Sequence, residues 1–318
     1  MRAYLIRRLL ALIPTMFFAT LIVFCVIRLI PGDIIDLMVS QHDFSDMEVT
    51  RESLEKDLGL DVPVYVQYYR WIKAIILHGD LGRSLWTQTR VSDEVLARLP
   101  VTLELAVIAL IIGLIIAIPI GVLSAIRQDT AGDYAGRTFS ILGLAIPGFW
   151  LGTMIVVYPS LWWGWSPPIE LVPFKEEPWE NLKTFLIPGA LMGLAMSAVT
   201  MRMTRAMMLE VLRQDYIRTA WAKGLKEKIV IIRHALKNAL IPVITLIGLQ
   251  LPILIGGAVV MERIFVLPGL GLLMLEAIFQ RDYPIVTGLM LILGAIVLAI
   301  NLLVDLSYGF LDPKVRYR

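Results

Sequence analysis

Apolar residues along this chain fall in long blocks, separated by short polar stretches. The blocks run roughly 9–30, 101–126, 138–163, 184–203, 239–261 and 284–307. About 20 apolar residues suffice for a helix to cross ~30 Å of hydrocarbon. The pattern therefore predicts an all-α integral membrane protein with six transmembrane helices. The fourth block is the weakest, because Pro188 and three glycines or serines interrupt it. The first follows Arg2, Arg7 and Arg8, as a secretory signal would. Its apolar run is long, however, and ends in Arg28-Leu-Ile-Pro-Gly-Asp33 rather than a small-residue cleavage site, so an uncleaved first crossing is expected.

The polar stretches alternate in charge. The N-terminal tail carries three arginines, whereas residues 31–99 hold seven basic and twelve acidic side chains. Residues 127–137 are balanced, and 164–183 and 262–283 are slightly acidic. Residues 202–238 hold nine basic and three acidic side chains. Positive charge is retained on the cytoplasmic side. Both termini and 202–238 are thus expected in the cytoplasm, and 31–99, 164–183 and 262–283 outside. Three parts follow: a tail and first helix (1–30), an extracytoplasmic segment (31–99), and a five-helix core (100–318) with its cytoplasmic loop at 202–238.

Overall composition agrees with this division, since 58% of residues are hydrophobic and 18% charged. The one cysteine, Cys25, rules out an intramolecular disulfide. Arg28 and Glu104 are charged residues within the apolar blocks, both near outer ends where long side chains reach headgroups. In the outer segment, Val64 to Leu77 carries Tyr65, Tyr68, Tyr69 and Trp71. Aromatic rings of this kind settle at the membrane interface. A helix serving stability alone and a docking platform for an external protein both fit. Pro268-Gly-Leu-Gly271 and the apolar run to Phe279 are too short to cross, which predicts a re-entrant or interfacial helix.

The inner loop has internal order. Residues 216–222 favour helix, with Tyr216, Ala220 and Trp221 read on one side. Gly224 follows where a left-handed C-terminal cap is expected, and a second helical stretch begins at Leu225. Charge alone supports a connector attracted to anionic lipid. A short helix tied at both ends to spanning helices also suits a lever that enters a groove on another protein.

Arg218-Thr-Ala-x3-Gly224 resembles the Glu-Ala-Ala-x3-Gly motif of ABC importer permeases, with Arg-Thr for Glu-Ala as in their peptide and nickel branch. His234 to Pro242, Gly79-Asp-Leu-Gly-Arg-Ser84, Glu262-Arg-Ile-Phe-Val-Leu-Pro-Gly-Leu-Gly271, Arg281-Asp-Tyr-Pro-Ile-Val286 and Asp312-Pro-Lys-Val-Arg-Tyr317 resemble that branch too, in its order. The resemblance implies a type I importer permease fold of the "B" type in the bacterial inner membrane. It implies four partners besides the bilayer: a second related permease, two ATPase subunits that bind ATP and Mg, and an extracytoplasmic binding protein. No cofactor in this chain and no nucleic acid are implied. Arg218, Thr219, Ala220 and Gly224 would carry the ATPase contact, with Tyr216, Trp221 and Lys223 beside them. Cargo would be peptides or a similar small solute such as a nickel chelate.

Other chemistries find little support. Gly-Lys never occurs, so there is no P-loop and ATP hydrolysis must lie elsewhere. His42, His78 and His234 share no helical face with other metal ligands, and no catalytic residues are assigned. Ser140 and Ser197 have no histidine near them in sequence, which argues against an intramembrane protease. Asn301 and Asp305 lie four apart on one face of the last helix, suited to helix–helix hydrogen bonds or to lining the pathway. Pro119, Pro188, Pro242 and Pro252 interrupt other spans, but Pro147-Gly148 and Gly256-Gly257 are the hinge candidates. A secondary transporter and a non-transporting assembly factor are the alternatives at this point, although mid-membrane charges for ion coupling are missing.

Overall fold

The computed structural model describes residues 2–28, 61–168 and 171–311. The segment 31–60 with His42, the motif at 312–317, and the side chains of Arg28 and Asp305 lie outside the described residues. Its helices are α1 (Arg2–Arg28), α2 (Val64–His78), α3 (Val91–Ile126), α4 (Ala131–Ala145) and α5 (Gly148–Trp163). They continue with α6 (Pro178–Leu212), α7 (Asp215–Ala222), α8 (Glu227–Phe265), α9 (Leu270–Phe279) and α10 (Tyr283–Leu311). Among the described residues, extended pairing is limited to one isolated bridge, Arg83 with Arg90. Helices α3, α6, α8 and α10 are each long and apolar enough to cross a bilayer.

The chain forms two compact units. Of the described residues, one comprises 6–28, 61–97 and 273–296. In it α2 is mostly exposed, but Tyr68 shares a 2.9 Å hydrogen bond with Thr20 of α1 and its ring meets Phe24 edge-on at 5.1 Å. Asp282 is buried, accepts from Ser84 Oγ and Leu85 N, and caps the start of α10 through Ile285 N. The Gly-Asp-Leu-Gly-Arg-Ser and Arg-Asp-Tyr-Pro motifs, 198 residues apart at this pair, are thus two halves of one structural joint.

The other unit comprises, of the described residues, 2–5, 98–168, 171–272 and 297–311. Its centre is α6, which is the least apolar of the four long spans, as the fourth block leads one to expect, and yet the most buried. The helix runs 35 residues, and 67% of its apolar window is buried, against 28% for α3. The small residues that lower its hydropathy are the reason. Without a hydrophobic drive between helices in lipid, close backbone approach supplies the attraction. Ala109, Gly113, Ala117, Gly121 and Ala125 form a buried row down α3, one residue per turn. Gly193 of α6 faces that row so closely that a Cβ on it would stand 2.6 Å from the Ala109 carbonyl oxygen. The hydroxyls of Ser197, Thr200 and Thr204 return to carbonyls of their own helix. Gln250 of α8 donates to Thr200 Oγ1 at 2.9 Å.

The third block differs as well. It is not one straight span starting near 138, but α4 and α5 meeting at 85°. Helix α4 begins at Ala131, inside what the charge pattern treats as a loop. Ile146 precedes Pro147 and takes the extended conformation that a following proline favours. Pro147 then starts α5, accepting from Trp150 N and Leu151 N. Pro119, Pro188, Pro242 and Pro252 lie inside helices that continue past them. Helix α8 likewise runs unbroken through Gly256 and Gly257. Asn301 is exposed on α10.

Candidate functional site

The connection between α6 and α8 carries the site read from the sequence. Helix α7 is only eight residues long. Isolated helices of that length are unstable in water, so packing must hold it. Ile217 and Ala220 provide the packing. Both are buried, against Met208 of α6, Ala125 of α3, and Val230, Ala235 and Ala239 of α8. The grouping of Ala220 with Tyr216 and Trp221 on one side is thereby corrected: Ala220 points inward with Ile217. Tyr216 and Trp221 flank that face, each 44% exposed. Arg218, Thr219 and Lys223 are exposed.

The end of α7 is set by its glycine. Gly224 has φ +74, donates its N–H to the Trp221 carbonyl at 2.9 Å, and Leu225 N donates to Ala220 O at 3.4 Å. These two bonds form a Schellman cap, which needs a left-handed residue at that position. Nothing lies within 4 Å of a Cβ built on Gly224, so backbone conformation alone demands the glycine. Asn238 of α8 reaches back, donating to Tyr216 Oη at 3.1 Å and to the His234 carbonyl at 2.8 Å. That carbonyl belongs to a seven-residue π-helical stretch, Val230–Leu236, at the start of α8. Such stretches are rare and occur frequently at functional sites. Helix α7 therefore has an anchored inner face, a fixed exit and a polar, aromatic outer face. The Arg218–Asp215 ion pair on that face is long, at 3.4 Å, and both side chains are largely exposed. It leaves the guanidinium available to a partner.

The C-terminal end of α8, in the same unit, holds a feature that sequence reading missed. Glu262 was placed in an outer loop, but it lies in the last turn of α8 and is fully buried. Thr102 Oγ1 of α3 donates to its Oε1 at 2.6 Å. Gly271 N and Leu272 N donate to its Oε2 at 2.7 and 3.0 Å. Leu270 N donates to Thr102 Oγ1 at 2.8 Å. The first amides of α9 are thus satisfied by side chains, which a buried helix start requires. A carboxylate also suits the positive end of a helix dipole. Gly269 and Gly271 are packed against Glu262, and side chains there would collide with it. The glycines of the motif Glu262 to Gly271 are therefore the clearance for its own glutamate. The signal was present in that spacing, but only the fold shows the two ends touching.

Membrane-length helices packed through glycine, with a short helix between two of them, define the class of a helical membrane protein. Comparison with known proteins places this class. The family described as binding-protein-dependent transport system inner membrane component matches residues 117–317, and its N-terminal companion matches 1–106. The chain belongs to this family of transport-system inner membrane components. It is 41% identical over 320 residues to the oligopeptide transport system permease protein AppB of Bacillus subtilis (strain 168), covering 100% of both chains. It is 37% identical over 341 residues to the dipeptide transport system permease protein DppB of Escherichia coli (strain K12), again covering 100% of both. Among solved structures, an amino acid ABC transporter crystallised with histidines matches with TM-score 0.52 at 13% identity. That match covers 68% of this chain and 93% of the other, and it supports the fold.

Proposed function

We propose that this chain is the permease subunit of an ATP-driven peptide importer and that α7 is its contact with an ATPase subunit. Peptide cargo rests on the names of the full-length relatives, which are oligopeptide and dipeptide permeases. The observation that carries the coupling role is the two-sided build of α7. Its inner face is locked to α3, α6 and α8, while Tyr216, Arg218, Thr219, Trp221 and Lys223 stay outside. Ala220 contributes from within, by seating the helix, and Gly224 by ending it.

In this reading the chain crosses the membrane six times with both termini in the cytoplasm. The crossings are α1, α3, the bent pair α4–α5, α6, α8 and α10. The excess of basic residues in 202–238 keeps α7 on the cytoplasmic side. ATP and Mg belong to two partner ATPases, a second permease completes the pathway, and an external binding protein delivers cargo. Closure of the ATPases moves α7, and the helices it is packed on shift between two states. The break at Ile146–Pro147 is one place where such a shift is absorbed, with Gly256-Gly257 as a second. Asn301 and Asp305 of α10 line the pathway.

Replacing Gly224 with glutamate tests the coupling role. A side chain at φ +74 opposes the Schellman cap, and the new charge faces the partner. The chain should remain in the membrane at its normal level while ATP-dependent peptide uptake is lost. Normal uptake by that variant would remove α7 from the mechanism. Uptake that stops when ion gradients are collapsed with ATP present would remove the ATP-driven reading as a whole.

A further inference from the structure

Helix α4 carries a buried carboxylate that the coupling reading does not use. Asp133, in its first turn, is buried to 1% exposure. Arg205 of α6 grips it with two prongs, Nε to Oδ1 at 2.8 Å and Nη2 to Oδ2 at 2.7 Å. Arg137, one turn along α4, donates to the same Oδ2 at 2.7 Å, and Asp129 N donates to it at 3.1 Å. Two-pronged arginine–carboxylate contacts fix orientation as well as distance. A buried ion pair is not in general a source of stability, so stability alone does not account for this one.

Its position suggests a further role. Arg205 lies one turn before Met208, the α6 residue on which Ile217 and Ala220 of α7 sit. Beside the pair, the three helices approach without slack. A Cβ on Gly136 of α4 would stand 2.8 Å from Ser124 Oγ of α3 and 3.1 Å from Met201 Cε of α6. A Cβ on Gly121 of α3 would stand 2.9 Å from the Met201 carbonyl oxygen. Close packing of this kind transmits strain between the helices but does not by itself fix one against sliding along another. Helix α4 then ends at the 85° break, beyond which α5 packs on α8, with Gly152 beside Met261, Ile264 and Phe265.

Resting on the assignment of α7 as the coupling helix, we infer that Asp133 and Arg205 are positioning residues for coupling. They lock α4 to α6, so that displacement of α7 is carried by α3, α4 and α6 together as far as Pro147. Neither touches cargo or the ATPase. With the pair broken, α6 still moves with α7, but α4 slips, and ATP is hydrolysed without matching transport.

The test uses the complete transporter in proteoliposomes and reads peptide taken up per ATP hydrolysed. Asp133→Asn keeps the shape of the side chain and removes its charge. It should lower that ratio about tenfold, within the usual span of coupling energies, while the ATPases still co-purify. Asp133→Asn combined with Arg205→Gln should be no worse than the stronger single variant, because both remove one interaction. A ratio within about twofold of wild type, or effects that multiply, overturns the inference.

A second measurement leaves the pair intact and covers failure of the variants to fold. Spin labels are placed at Ala135 and Ala206, both exposed, in a Cys25→Ser background. Their separation should be the same with and without trapped nucleotide, and a shift beyond the labels' own spread overturns the inference. Labels at Ala135 and Val157, across the break, serve as the control. If they too are still and no ATPase co-purifies with the wild-type chain, it is the coupling reading that fails.

Discussion

Helices α7 and α9 are both short, at eight and ten residues, and both connect long spans. They are held in opposite ways. Helix α9 is fixed from within at its start, where Glu262 and Thr102 satisfy three of its amides, and Leu270, Leu272, Leu273, Met274 and Ala277 are buried. Helix α7 is fixed along one face only, by Ile217 and Ala220, and its polar side is left open. Burying polar groups demands complete internal satisfaction. Leaving them exposed keeps them free for a partner. One helix is sealed into the core, and the other keeps an open polar face.

This contrast is most easily broken at Glu262. Glu262→Ala strands the Thr102 hydroxyl and two amides of α9 in a buried site and opens a cavity. We expect a loss of about 3 kcal/mol, read as earlier unfolding in detergent and a lower membrane level. Uptake should fall in proportion to the amount of folded chain. Next in size is Ala220→Leu. The added atoms have no room against Met208 and Val230, and the expected cost is about 1–3 kcal/mol. Unlike the Glu262 change, it should weaken capture of the ATPase subunits beyond any loss of membrane level. Tyr216→Phe removes the bond from Asn238 and should cost about 1 kcal/mol or less. Faster hydrogen exchange at the amides of α7, with none in α9, would register it. The smallest effect belongs to Asp215→Ala. Its pair with Arg218 is exposed, so thermal stability should not change measurably. If Asp215→Ala destabilised the chain as much as Ala220→Leu, the division of α7 into a packed face and an open face would be wrong.

The helical membrane class was legible in the sequence because it depends on composition over windows of about 20 residues. The cap at Gly224 was legible for a local reason, since a helix ending in a left-handed residue needs glycine whatever surrounds it. The Gly-x3-Gly spacing of the fourth block was visible but was read as weakness. Its value appears only once Ala109 and Gly113 of α3 lie opposite. The inward turn of Ala220 was equally out of reach, as it depends on where Met208 and Val230 stand.

The sequence by itself determined that the chain is helical, that it belongs in a membrane, and that a short helix ending before Gly224 links two of its spans. These follow from local propensity and from the cost of placing charge or unpaired backbone in lipid. Tertiary structure decided which helix lies at the centre, how sharply the third span bends, and which carboxylates are buried. Asp133 meets Arg205 across 72 residues, and Thr102 meets Glu262 across 160. A buried charge is tolerable only beside its partner, and the partner's position is fixed by the folded helices rather than by proximity along the chain.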